Sequence, residues 1–131
     1  MREILFRGKS TYTEIWYEGW YVPPVDYNGK HWDASISYKV ESGHLEDVEV
    51  IPETVGQFTG LTDKNGKKIF EGDILKGYWS TVLVIFYDEI STSYRVKTST
   101  GYEREPSYYG VDKFEVIGNI HDNPELIKQE A

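Results

Sequence analysis

The sequence predicts a mostly β protein, and three observations carry that expectation. Phe, Trp and Tyr make up 15% of the 131 residues, with eleven Tyr and four Trp, and these types favour pleated, half-buried surfaces. Short segments of alternating apolar and polar residues recur, punctuated about every ten residues by Gly, Pro or Asn-Gly. No long segment shows the apolar spacing of a helix. The expected architecture is an N-terminal β lobe, residues 1–56, packed on a small C-terminal barrel, residues 57–131, with a short C-terminal helix. Closure into a barrel would remove the exposed edges that trouble small sheets.

Each element follows from local pattern. REILFR (2–7) places Ile4 and Phe6 on one face. TYTEIWYEGWYV (11–22) is strand-prone, with Gly19 as a bulge or close-approach point. Pro23-Pro24 ends it, because proline has no amide to donate. Asn28-Gly29 is a turn dipeptide. SISYKVE (35–41) alternates again, and LEDVEVI (45–51) follows the Ser42-Gly43 turn. Pro52–Gly56 reads as a turn or single helical turn joining the halves. Gln57–Leu61 approaches the Asn65-Gly66 turn, for which a type I′ hairpin is expected. KKIF (67–70) returns, Glu71-Gly72-Asp73 makes a corner, and ILKGYW (74–79) and TVLVIFY (81–87) follow. The near-continuous apolar run of TVLVIFY predicts the most central strand. SYRVKTS (93–99) alternates, GYEREPSYYG (101–110) reads as a polar and aromatic loop, and KFEVIGNI (113–120) is the closing strand. Asn123 then caps a short helix with Pro124 in its first position.

Charge and composition bound the function. The chain has 14 basic and 22 acidic residues, net −8, and both halves are acidic, which disfavours non-specific phosphate binding. The absence of cysteine excludes disulfides and Cys-based zinc sites. MREILFRGKS lacks the apolar stretch of a signal peptide, and Thr81–Tyr87 is too short to span a membrane. A soluble protein of the cytoplasm is the expectation.

The stretch ETVGQFTGLTDKNGKKIFEGDIL (53–75), together with FEVIGNIHDNPEL (114–126), resembles the YopX family of phage and prophage proteins. REILFRGK (2–9) and WYEGWYV (16–22) are similar to that family's opening. The resemblance implies a phage or prophage origin, a bacterial host cell, and an SH3-like shape for the C-terminal barrel. It brings no established activity, cofactor or catalytic residue.

The residues themselves hold few chemical motifs. Asp63, Asn65, Glu71 and Asp73 lie close in sequence, but a calcium loop of the EF-hand type needs its glycine at position six and a glutamate at twelve. Here the glycine is fourth and two lysines follow. His31, His44 and His121 show no paired ligand spacing. No nucleophile elbow or phosphate loop is present. Neither a catalytic residue, a metal site nor a cofactor is expected.

The candidate binding surface is the segment 102–109, where Tyr102, Arg104, Tyr108 and Tyr109 have the chemistry to stack on a peptide or a base. The alternative is a loop whose tyrosines fold back over the barrel. Trp16, Trp20 and Tyr21 form either the first lobe's core or a subunit interface. Three functions stay open. The leading one is a non-enzymatic interaction protein whose partner is a phage or host protein. The second is a nucleic-acid-associated barrel, with Lys64, Lys67, Lys68, Lys76, Arg95 and Lys97 gathered on one face. The third is an enzyme whose site is assembled from distant residues. Self-association into a homo-oligomer is a further expectation from the aromatic excess.

Overall fold

A computed structural model describes residues 3–128. The protein is mostly β, built from antiparallel sheets, with a single short α-helix among the described residues. It divides into two compact units, Met1–Phe58 and Thr59–Ala131.

The first unit is an antiparallel sheet. Its strands are β1 (Phe6–Lys9), β2 (Trp16–Val22), β5 (Ser35–Lys39) and β6 (Leu45–Glu49), in the order β6-β5-β2-β1. The first residues of β7 (Gly56–Thr62) pair with β1 through Gly56 and Gln57. Ala34, Ile36 and Val50 form the buried centre, and Phe6, Tyr17, Tyr21, Val48 and Val55 pack around it. Gly19 is a close-approach point: a Cβ there would lie 2.1 Å from the Ser37 carbonyl oxygen, so no other residue fits between β2 and β5. Pro52–Thr54 is a single 3₁₀ turn. Its Thr54 hydroxyl accepts the Lys9 amide at 2.9 Å and donates to the Ile51 carbonyl.

Three readings of this half change. Of the described residues of segment 2–7, the strand begins at Phe6, and the Leu5 carbonyl before it accepts the Phe58 amide. Residues 23–35 contain more than a turn: β3 (Val25–Tyr27) and β4 (Lys30–Trp32) form a small two-stranded hairpin, exposed throughout. Trp20 is exposed on its strand, so the core reading holds for Tyr21 and not for Trp20.

In the second unit β7 continues beside β8 (Lys68–Phe70), where the Thr59 hydroxyl donates to the Ile69 carbonyl. A five-stranded antiparallel sheet follows, from β9 (Asp73–Lys76), β10 (Val82–Asp88), β11 (Ser93–Thr98), β12 (Glu103–Arg104) and β13 (Glu115–Asn119). Its order is β12-β11-β10-β9-β13: a four-strand meander whose fifth strand returns beside the first. β10 is the central strand, as its apolar run requires. Ile69, Leu75, Leu83, Ile85, Val96, Val111 and Phe114 make the core.

The row of strands is open, and no hydrogen bonding between β12 and β13 closes a barrel among the described residues. The two ends are protected by other means. β12 is only two residues long, which presents little edge. The free edge of β13 is taken by the Asp63 turn: the Lys64 amide donates to the Phe114 carbonyl, and the Val116 amide donates to Asp63 Oδ2 at 3.0 Å.

The C-terminal helix is a 3₁₀ turn, Pro124–Lys128. Asn123 does not serve it as a side-chain cap in the expected way. Its Oδ1 turns back to accept the Asn119 amide, and its carbonyl accepts the Leu126 amide. Gly118 makes room for that reversal, since a Cβ there would sit 2.4 Å from Asn123 Oδ1.

Candidate functional site

The site is built from two hairpin turns of the second unit. The first links β9 to β10. The sequence suggests a strand running to Trp79, but β9 ends at Lys76 and residues 77–81 reverse the chain. The Gly77 amide donates to the Thr81 carbonyl and the Thr81 amide to the Tyr78 carbonyl, both at 2.9 Å. Trp79 (φ 58°) and Ser80 (φ 60°) therefore occupy the two central positions of a left-handed turn. Such turns favour Asn-Gly, because a Cβ in this conformation crowds the following carbonyl, at about 1–2 kcal/mol per residue. Trp79 is nonetheless 97% exposed, so nothing in its own unit repays that strain by burying the indole. Beneath it, Gly77 is obligatory: a Cβ would lie 2.5 Å from the Phe114 ring. Tyr78 packs edge-on against the same ring, 6.1 Å between centroids.

The second turn links β11 to β12. The Gly101 amide donates to the Thr98 carbonyl and the Thr98 amide to the Tyr102 carbonyl, while the Thr98 hydroxyl accepts the Tyr102 amide. Gly101, at φ 90°, supplies the left-handed residue. Between the two turns lies a groove of about 320 Å³.

The four sequence-predicted residues are brought together, although not as a loop. Glu103 and Arg104 form a strand paired with β11. Pro106–Tyr109 is the helix α1, started by its proline and ended by Gly110 at φ 70°. The Arg104 guanidinium lies 5.7 Å from the Tyr102 ring centre and 4.6 Å from that of Tyr108, so a cation sits between two exposed tyrosines. Tyr109 departs from this group. It packs edge-on against Tyr108 and Phe114 and rests on the core, which is the fold-back alternative realised for one residue. Sequence reasoning missed Trp79, which has neither the Asn nor the Gly that announces a left-handed turn.

The aspartates of the charged segment are structural. Asp63 is only 4% exposed. Its Oδ1 accepts the Asn65 and Lys67 amides at 2.8 and 2.9 Å, and its Oδ2 accepts Val116. Burial is the largest single influence and pushes its pKa up. The three amide hydrogen bonds and the Lys67 charge together outweigh it, and the net shift is downward. Asp73 Oδ2 accepts the Phe70 amide at 2.7 Å within the buried corner. The Asn65-Gly66 turn is not type I′: only Gly66 has positive φ, and the Gly66 amide bonds the Asp63 carbonyl. The Asp63 side chain, by holding the Asn65 amide, keeps Asn65 in ordinary backbone space.

In the first unit, the His31 imidazole lies between Asp26 Oδ1 at 2.7 Å and Asp33 Oδ1 at 2.8 Å. These hydrogen bonds, Asp26 first, hold its pKa above the ordinary histidine value. No group of three or more His, Asp or Glu among the described residues is placed to hold a metal ion. Of the six cations considered for nucleic acid, Lys64 faces Glu115 and Lys97 faces Glu103, each at 3.9 Å, while Arg95 donates to the Glu103 carbonyl.

These features define a mostly β protein whose second unit is a meander sheet that exposes Trp79 and Tyr102 at two of its hairpin turns. Residues 5–128 match the family described as YopX protein, and the chain belongs to the YopX family. No curated protein matches it. Among solved structures it is similar to the crystal structure of protein EF1440 from Enterococcus faecalis, at 25% identity and a TM-score of 0.55, over 97% of this chain and 99% of that one.

Proposed function

We propose that this YopX-family protein is a non-enzymatic interaction protein, encoded by a phage or prophage and acting in the cytoplasm of the bacterial host, whose partner is another protein. The observation that supports the reading is the Arg104 stack. An arginine held between two exposed tyrosines on a short strand and a helical turn is the residue chemistry of interface hot spots. Holding the guanidinium over Tyr102 and Tyr108 also lowers the entropy lost when a partner docks. The nucleic-acid reading has less support, because Lys64 and Lys97 face carboxylates and the net charge is −8.

The test is affinity capture from host lysate, with and without the phage genes, using the native chain beside Arg104→Ala and Tyr108→Ala. A polypeptide captured reproducibly by the native chain and lost with both variants is the expected result. Repeated capture of nothing above control, or a partner indifferent to both substitutions, removes the reading. Binding to DNA or RNA with an affinity that falls steeply with salt would replace it.

A further inference from the structure

The groove between the two hairpin turns has an unusual lining. All of its lining residues carry a hydroxyl except Trp79 and Val82. None carries a formal charge, so the groove offers nothing to neutralise a phosphate or a carboxylate. Only Val82 is aliphatic, so a wholly apolar ligand would desolvate hydroxyls without replacing their hydrogen bonds. A ligand matched to this surface is neutral, has many hydroxyls, and has one flat apolar face for the exposed indole.

We propose that this groove is a carbohydrate-binding site, with Trp79 as the platform for the C–H face of a pyranose ring and the hydroxyls of the facing turn as hydrogen-bonding partners. A pyranose meets both demands at once. Its axial C–H groups stack on an aromatic face, and its equatorial hydroxyls reach outward to Ser, Thr and Tyr oxygens. The geometry favours this use. Both walls are closed hairpin turns tied by their own backbone hydrogen bonds, at Gly77–Thr81 and Thr98–Tyr102. The Thr98 and Thr100 hydroxyls are already aligned 3.0 Å apart. Little ordering is then lost on binding. The left-handed backbone at Trp79 is an independent sign: strain of this kind is kept where the presented side chain has a role. This inference goes beyond the protein-partner reading and does not depend on it.

The experiment is saturation-transfer NMR on the intact protein, against a panel of neutral oligosaccharides built from glucose, galactose, mannose, xylose and N-acetylated hexosamines. Transfer to the ring C–H protons of at least one member is expected. Trp79→Ala should weaken that binding by about tenfold or more, and Trp79→Phe should recover part of it. A second variant, Trp79→Asn with Ser80→Gly, removes the indole while giving the turn its favoured residues. It should fold at least as stably and lose the saccharide signal. Trp79→Ala should lose the saccharide signal and leave polypeptide capture from lysate unchanged, because Trp79 has no place in the Arg104 stack, so the two readings fail separately. The proposal is overturned if no saccharide in the panel shows transfer at millimolar concentration. It is equally overturned if transfer is undiminished in Trp79→Ala and in the Trp79→Asn, Ser80→Gly variant, or if a proline-rich peptide or an oligonucleotide binds through Trp79 while every sugar does not.

Discussion

Two hairpins of the chain carry a left-handed pair of residues at the tip, with opposite choices of residue. Between β3 and β4 the central pair is Asn28-Gly29, at φ 51° and 72°. Between β9 and β10 it is Trp79-Ser80, at φ 58° and 60°. In the first case the local chemistry and the backbone agree, and a hairpin of three-residue strands persists with all its residues exposed. In the second the local chemistry opposes the backbone, and the turn is held by what flanks it: the Gly77–Thr81 hydrogen bond, the β9–β10 ladder and Phe114 under Gly77. A third turn sharpens the contrast. Asn65-Gly66 has the favoured dipeptide and adopts a different turn, because Asp63 binds the Asn65 and Lys67 amides. Turn chemistry decides where the neighbourhood is indifferent and yields where buried partners impose a geometry.

The largest expected effect belongs to the turn governed by a buried side chain. Asp63→Ala leaves three amides without their acceptor, one of them on the edge of β13, and should destabilise the second unit by about 3 kcal/mol or more in chemical denaturation. Asp63→Asn, which keeps one acceptor oxygen, should fall between that variant and the native chain. Because the folded pKa of Asp63 lies below its ordinary value of 3.8, its contribution is present above that value and is lost as pH falls through the folded pKa. Melting temperature should therefore drop more steeply in acid for the native chain than for Asp63→Asn. Equal acid slopes would show that this carboxylate does not govern the turn.

Next in size is the strained turn. Replacing Trp79 by Asn and Ser80 by Gly should raise stability by about 2 kcal/mol, read as a shift in denaturation midpoint at constant slope. No gain would mean that the flanking hydrogen bonds relax the strain. Gly29→Ala is a smaller change of opposite sign. Nothing lies within 4 Å of the added Cβ, so only the backbone angle is penalised, and a loss of about 1 kcal/mol is expected. The smallest effect concerns the clasp on the same hairpin. A protonated His31 donates to Asp26 and Asp33 together, whereas the neutral ring donates to only one. Its folded pKa is raised above 6.5, so the clasp is fully present below that value and is lost as pH rises through the folded pKa. NMR titration of His31 should give a value above the ordinary one, and Asp26→Asn should lower it.

Elements that rest on short-range pattern are legible in the residues alone. The strands around Tyr17, Ile36, Leu83 and Val96 follow from period-2 alternation or an apolar run, and the central place of β10 follows from Leu83 and Ile85 having no polar face to show. The family was legible too, in the stretches Glu53–Leu75 and Phe114–Leu126. The tertiary structure decided the rest. It exposed Trp79 on a turn whose residues do not ask for one. It set Tyr109 on the core while Tyr102 and Tyr108 enclose Arg104, and it used Asp63 to seal the edge of a strand 53 residues away. The physical reason is one of range. A strand's periodicity is written in neighbouring residues, whereas a carboxylate's amides, or a ring's place inside or outside, depend on chain segments that meet only after folding.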